Sequence, residues 1–148
     1  MSLKEKISED MKASLKGGEK ERLSTLRMLI SAIKYTEIEK RQELKNEDVL
    51  EVISREIKRR REAVEEYRKG NRPDLVEKEE REAKILEEYL PPQLSDAEIE
   101  AIVKEVIDET GAMGPRDIGK VMGLVMPRVK GRADGRKVND IVGRLLTT

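Results

Sequence analysis

The chain is predicted to be all-α, with an N-terminal hairpin-type bundle of about four helices over residues 1–92 and a compact three-helix domain over 93–148. Three observations carry this. Apolar residues recur at spacings of three and four along the chain. No run has the alternation or β-branched density of a strand. A charged fraction of 42% against 36% hydrophobic leaves only thin cores, which suit long amphipathic helices.

Each element follows from its own signals. Ser2 with Glu5 reads as a capping box, after which Leu3, Ile7, Met11 and Leu15 form a strip ending at Gly17 and Gly18. The second helix begins near Glu19 and places Leu23, Leu26, Ile30 and Ile33 on one face, with Leu29 beside it. Asn46 is predicted to cap the third, lined by Leu50, Ile53, Ile57, Val64 and Tyr67 as far as Gly70. Asn71 and Pro73 start the fourth, with Leu75, Ala83, Leu86 and Leu90 inward. Pro91 and Pro92 stop it, since neither can donate a backbone hydrogen bond and each disfavours helix in its predecessor.

Beyond that boundary Ser95 and Glu98 form a second capping box, opening a helix with Ile99, Ile102, Val103, Val106 and Ile107 inward that ends at Gly111. Gly114 and Pro115 start the sixth, whose Ile118, Val121, Met122, Val125, Met126 and Val129 make a wide apolar stripe. Pro127 predicts a kink or early end there, and Gly131 suits a left-handed cap. Asp134 caps the seventh helix, with Val138, Ile141, Val142, Leu145 and Leu146 buried.

Composition excludes several kinds of chemistry. With no cysteine and no histidine, disulfides, thiolate catalysis, sulfur-ligated metals and the usual neutral-pH acid–base group are absent. The carboxylates have the spacing of salt-bridged helix faces, so no catalytic residue, metal or cofactor is expected. Uncharged stretches fall far short of the ~20 apolar residues of a membrane span, and the chain does not open like a signal peptide. A soluble cytoplasmic protein is the expectation.

Charge is zero overall but segregated near the end. Residues 95–110 carry five net negative charges and residues 114–148 five net positive ones. A basic patch attracts polyanions at long range, and each phosphate neutralised adds salt-dependent affinity. Arg128, Lys130, Arg132, Arg136 and Lys137 crowd the turn between the last two helices, where Gly131 and Gly135 permit close backbone approach. The amides opening the seventh helix make this corner a phosphate site, although Asp134 competes for them. Gly119 and Gly123 share a face of the sixth helix, and the first expectation for them is close packing against the fifth, the alternative being the approach of a ligand or RNA backbone. Met122 and Met126 read as core filling or as an adaptable contact surface. Lys58, Arg59, Arg60 and Arg61 are flanked by Glu56, Glu62, Glu65 and Glu66 and read as a compensated, solvated face.

Three segments carry a resemblance that covers the whole chain, NRPDLVEKE at 71–79 included: YLPPQL at 89–94, GKVMGLVMP at 119–127 and VKGRADGRKV at 129–138. In this order they resemble the YqeY-like family, whose fold recurs as the tail domain of the GatB subunit of tRNA-dependent amidotransferases. The resemblance implies an all-helical fold and, by analogy with that tail domain, contact with the body of a tRNA. The matching positions are Gly119, Lys120, Met122, Gly123, Lys130, Gly131, Ala133, Asp134 and Gly135. The catalytic body of the amidotransferase has no counterpart here, so amide transfer by this chain alone is not implied.

The expected function is therefore non-catalytic binding of tRNA or another folded RNA, in association with an amidotransferase or other translation proteins. Tyr35, Tyr67 and Tyr89 all lie in the N-terminal part, so the basic unit lacks a stacking platform and would read RNA shape and phosphates. Lys120, Arg128, Lys130, Gly131, Arg132, Gly135, Arg136 and Lys137 are the candidate RNA contacts. Gly119, Met122, Gly123 and Met126 are assigned to helix packing or partner contact. The alternative is a protein-interaction adaptor using that Gly and Met face.

Overall fold

The computed structural model describes residues 1–147. Among them, every regular element is helical: α1 (Leu3–Lys16), α2 (Lys20–Lys40), α3 (Asn46–Lys69), α4 (Pro73–Glu87), α5 (Asp96–Thr110), α6 (Ile118–Val129) and α7 (Gly135–Thr147), with a 3-10 turn over Pro115–Asp117 leading into α6. The backbone packs into two compact units, Met1–Leu90 and Pro91–Thr148.

In the first unit α1 pairs with α2 and α3 with α4. Arg61 meets Glu87 at 2.9 Å and Arg68 meets Glu80 at 2.9 Å, so the partner's number falls as α3 advances and the pair is antiparallel. Ile7, Leu26, Leu29, Ile33, Leu44, Val49, Val52, Ile53, Ile57 and Leu86 form the core. Burying one such side chain contributes about 1.5–3 kcal/mol. Leu15, expected on the inner strip, is 58% exposed, and the buried residue of that turn is Ser14, whose hydroxyl donates to the Asp10 carbonyl at 2.9 Å. A strip at strict spacing four drifts around a 3.6-residue helix, and by its fourth member it has left the core.

Asn46 is a second departure. Lys45 holds the position before α3, its amide donating to the Asp48 carboxylate at 3.3 Å. The Asn46 Oδ1 instead accepts from the Leu3 amide at 3.0 Å, closing the first turn of α1 across 43 residues of sequence. The cation run also differs from expectation. Lys58, Arg59 and Arg61 are exposed, but Arg60 is only 5% exposed. It lies 3.3 Å from Glu56 and 3.4 Å from the buried Glu82. α4 ends at Glu87, before Pro91 and Pro92.

In the second unit α5, α6 and α7 enclose Leu94, Ile99, Val103, Val106, Val121, Val125, Val129, Val138, Ile141, Val142 and Leu146. The α5 capping box is reciprocal: the Glu98 amide donates to Ser95 Oγ at 3.2 Å, and the Ser95 amide to the Glu98 carboxylate at 3.1 Å. Gly111 ends the helix in the left-handed region at φ 67°. α6 does not stop at Pro127 but continues to Val129. Pro127 stands in the last turn, so only one intrahelical bond is forgone, at the carbonyl of exposed Gly123.

Candidate nucleic-acid interface

The α6–α7 turn is held from the side by the segment that follows the double proline. Gly131 adopts φ 76°, and the Arg132 amide then donates to the Val129 carbonyl at 2.8 Å. The Leu94 amide donates to the Arg132 carbonyl at 2.8 Å, and Gln93 Nε2 donates to the Gly131 carbonyl at 3.0 Å and to the Pro91 carbonyl at 2.9 Å. Arg132 Nε reaches the Pro92 carbonyl at 3.3 Å. Two of the family-like segments, far apart in sequence, are thus one structure. Gln93 and Leu94 belong to the site although the sequence reading used this stretch as a helix stop; the residues after the prolines were the available signal.

Asp134 caps the next helix, its carboxylate accepting from the Arg136 amide at 3.1 Å. That occupies part of the amide corner in which a phosphate was expected. Gly135 adjoins the sixth helix: a Cβ there would stand 3.5 Å from Met126 Cε, an ordinary contact. The first turn of α7 therefore begins beside the outer edge of α6.

The cations divide into two groups. Arg128 pairs with Glu105 at 3.0 Å, Lys137 with Asp96 at 2.7 Å, and Arg144 with Glu100 at 3.2 Å. The acidic α5 is thus the internal counterpart of the basic α6 and α7. These pairs are solvent-exposed, and such pairs contribute ~0–1 kcal/mol, so another anion can replace the carboxylate. Lys104 and Arg144 hold the Glu100 carboxyl below its ordinary range, and the Ser95 amide does the same for Glu98. Lys120 and Arg136, both exposed, form no ion pair among the described residues, and Lys130 is exposed at the end of α6.

Gly119 and Gly123 do not pack against α5. Both are exposed, and no neighbouring heavy atom lies within 4 Å of the place where a Cβ would stand. Val121, Val125 and Val129 take the inner face, so residues at the same spacing two positions earlier, Gly119, Gly123 and Pro127, point to solvent. Lys120, Leu124 and Arg128 form the adjacent row, with Leu124 48% exposed. On the other side Met122 and Met126 are half-buried and pack on the core, which accounts for them as core filling. The outer face of α6 is consequently a low, side-chain-free strip between methionines and cations. No groups of acidic side chains among the described residues are arranged to hold a metal ion.

Comparison with known proteins places these features in a family. The model of the family described as "Yqey-like protein" matches residues 4–146. The chain is 29% identical over 145 residues to "Altered inheritance of mitochondria protein 41, mitochondrial" of Pyrenophora tritici-repentis, covering 93% of this chain and 80% of that protein. It is 36% identical over 112 residues to the protein of that name from Lachancea thermotolerans, covering 74% of this chain and 60% of the relative. A shorter similarity, 43% over 56 residues, links 35% of this chain to 9% of a glutamyl-tRNA(Gln) amidotransferase component from Aeropyrum pernix.

The names correct one expectation. Relatives described as mitochondrial point to mitochondria rather than to the cytoplasm. The cytoplasmic expectation rested on missing apolar segments, and no described helix is long and apolar enough to cross a membrane. That criterion cannot separate the cytoplasm from the aqueous interior of an organelle, because both set the same solvent demands on a folded chain. The match across nearly the whole length, together with the order of the three segments, identifies the chain as a member of the Yqey-like protein family.

Proposed function

We propose that this chain binds folded RNA, tRNA in the first instance, through the outer face of α6 and the first turn of α7, as a non-catalytic associate of a tRNA-dependent amidotransferase. The observation that carries the reading is the open strip of Gly119 and Gly123 beside Lys120. A sugar–phosphate backbone approaches most closely where no side chain projects, and exposed cations at the edge neutralise its phosphates. Arg128, Lys137 and Arg144 extend the footprint by exchanging a carboxylate for a phosphate, and Arg132 and Gly131 are positioned by the Gln93–Leu94 strap. The similarity to an amidotransferase component supports the choice of RNA.

The test is fluorescence anisotropy with labelled tRNA across a salt series, comparing the parent chain with Lys120→Glu/Arg136→Glu. Affinity that falls with salt and drops about tenfold in the variant is expected, each lost phosphate contact weakening binding and flattening the salt slope. Absence of binding, or binding indifferent to the reversal, refutes the reading.

A second reading, a protein adaptor docking on the same face, rests on exposed Leu124. Copurification of a stoichiometric protein without RNA, lost in Leu124→Glu, would favour it.

A further inference from the structure

The first unit has a feature the RNA reading does not use. α2 buries Leu26, Leu29 and Ile33, yet its opposite face is also apolar. Met28 is 54% exposed, Tyr35 68% and Ile38 77%. With Ser24 and Ser31, both exposed, these residues recur at alternating spacings of four and three, the spacing of a helix–helix seam. The row is exposed along its length, with Met28 Sδ accepting from the Arg60 guanidinium at 3.9 Å.

The charges along this face are one-sided. Arg27 and Lys34 stand seven residues apart along one edge, exposed and without an ion pair among the described residues, and exposed Arg41 follows the helix as its left-handed cap at φ 55°. Elsewhere in the unit Lys4, Arg22, Arg61, Arg68 and Arg81 each meet a carboxylate within 4 Å. Nearby acids are engaged: Glu21 pairs with Arg81 at 2.8 Å, and Glu37 accepts from Lys4 at 2.8 Å and from the Leu44 amide at 2.9 Å. Glu39 remains, at the edge opposite the basic row.

We propose that the outer face of α2 docks an acidic amphipathic helix of a protein partner. The apolar row supplies the seam, the two serines let a second helix approach closely, and Arg27 and Lys34 select glutamates or aspartates flanking the partner's apolar stripe. Methionine adds adaptable contact area. Nucleic acid fits less well, since Met28 and Ile38 offer a phosphate backbone nothing and Tyr35 is the one stacking group on this face. A second copy packed antiparallel would set the basic row against itself.

The test uses the full chain and two labelled helical peptides with leucine at their seam positions, one flanked by glutamates and the other by lysines. In anisotropy titrations the glutamate peptide is expected to saturate and the lysine peptide not to. Ile38→Glu and Lys34→Glu are each expected to weaken the glutamate peptide about tenfold. Circular dichroism melts identical to the parent's establish that these exposed substitutions leave the fold intact. Failure of the glutamate peptide to saturate, equal binding of both peptides, or indifference to Ile38→Glu overturns the proposal. So does a dimer that Ile38→Glu abolishes, which assigns the face to a second copy, or tRNA binding weakened by Tyr35→Ala while peptide binding is unchanged, which assigns it to RNA.

Discussion

Gly123 separates packing from contact more sharply than any other residue. With open space where its Cβ would be and ordinary helical backbone, Gly123→Ala is expected to stabilise the chain by about 0.5–1 kcal/mol, as is Gly119→Ala. Urea titration checks this. Gly123→Leu is likewise expected to melt no lower than the parent and to lose tRNA affinity, because the side chain fills the strip; unchanged affinity would remove Gly123 from the interface. Arg60 teaches the opposite lesson. Its guanidinium donates to the Glu56 carbonyl at 3.1 Å and to the Glu56 carboxylate at 3.3 Å, and its Nε lies within ion-pair distance of Glu82 without the geometry of a hydrogen bond. Removing one partner leaves a buried charge, so Glu82→Ala is expected to cost about 3 kcal/mol in denaturant unfolding, and Arg60→Met/Glu82→Leu distinctly less. The sequence could not reveal this, because acids at helical spacing make every cation in such a run look compensated.

At the scale of elements, the end of α4 is tied to α1 by one polar contact. The Tyr89 hydroxyl donates to the Asp10 carboxylate at 2.6 Å, and Arg22 reaches the same hydroxyl at 3.4 Å. Burial works against the charge on Asp10, but the hydrogen bonds from Tyr89 and Lys6 outweigh it and hold the carboxyl below its ordinary range. Burial, then the bond to Asp10, pushes the Tyr89 hydroxyl up. Tyr89→Phe is therefore expected to cost about 1.5 kcal/mol at neutral pH. The Asp10 part is present above about pH 4, its unfolded value, and fades as pH falls through the lower folded value. The Tyr89 part is complete below about pH 10 and is lost as pH rises toward the raised folded value. Unfolding of parent and variant at acid, neutral and alkaline pH should give a deficit that is largest in the middle.

Helix boundaries set by local chemistry were legible: Ser95 with Glu98 opens α5, Gly111 closes it, and Pro73 begins α4. What the sequence hid were contacts made through space. Gly119 and Gly123 were expected to pack against the fifth helix, because two glycines at spacing four share a face whether that face turns inward or, as here, outward. Gln93 likewise drew no structural role from the sequence beyond its place in the YLPPQL segment, whereas its carboxamide seats the α6–α7 turn. Gln93→Ala, in losing one bond to Gly131 and one to Pro91, is expected to cost about 1 kcal/mol and to weaken tRNA binding through a loosened turn.

For the whole molecule, the segregated charge was visible in the sequence but not where each end would find its counter-charge. Each unit has its own apolar cluster. We propose that the division is also a folding boundary, so residues 91–148 made alone should give a helical circular dichroism spectrum and a cooperative though modest melt. A spectrum without helix would mean the unit needs the rest of the chain. Within the first unit, the amide of Leu3 is closed by the carboxamide of Asn46. During synthesis the Leu3 amide therefore waits for a residue that has not yet been made. Ser2 caps the Glu5 and Lys6 amides from the outset, but until the chain has passed α2 and entered α3 the Leu3 amide lacks its partner, and it should be the last in that hairpin to gain protection from exchange.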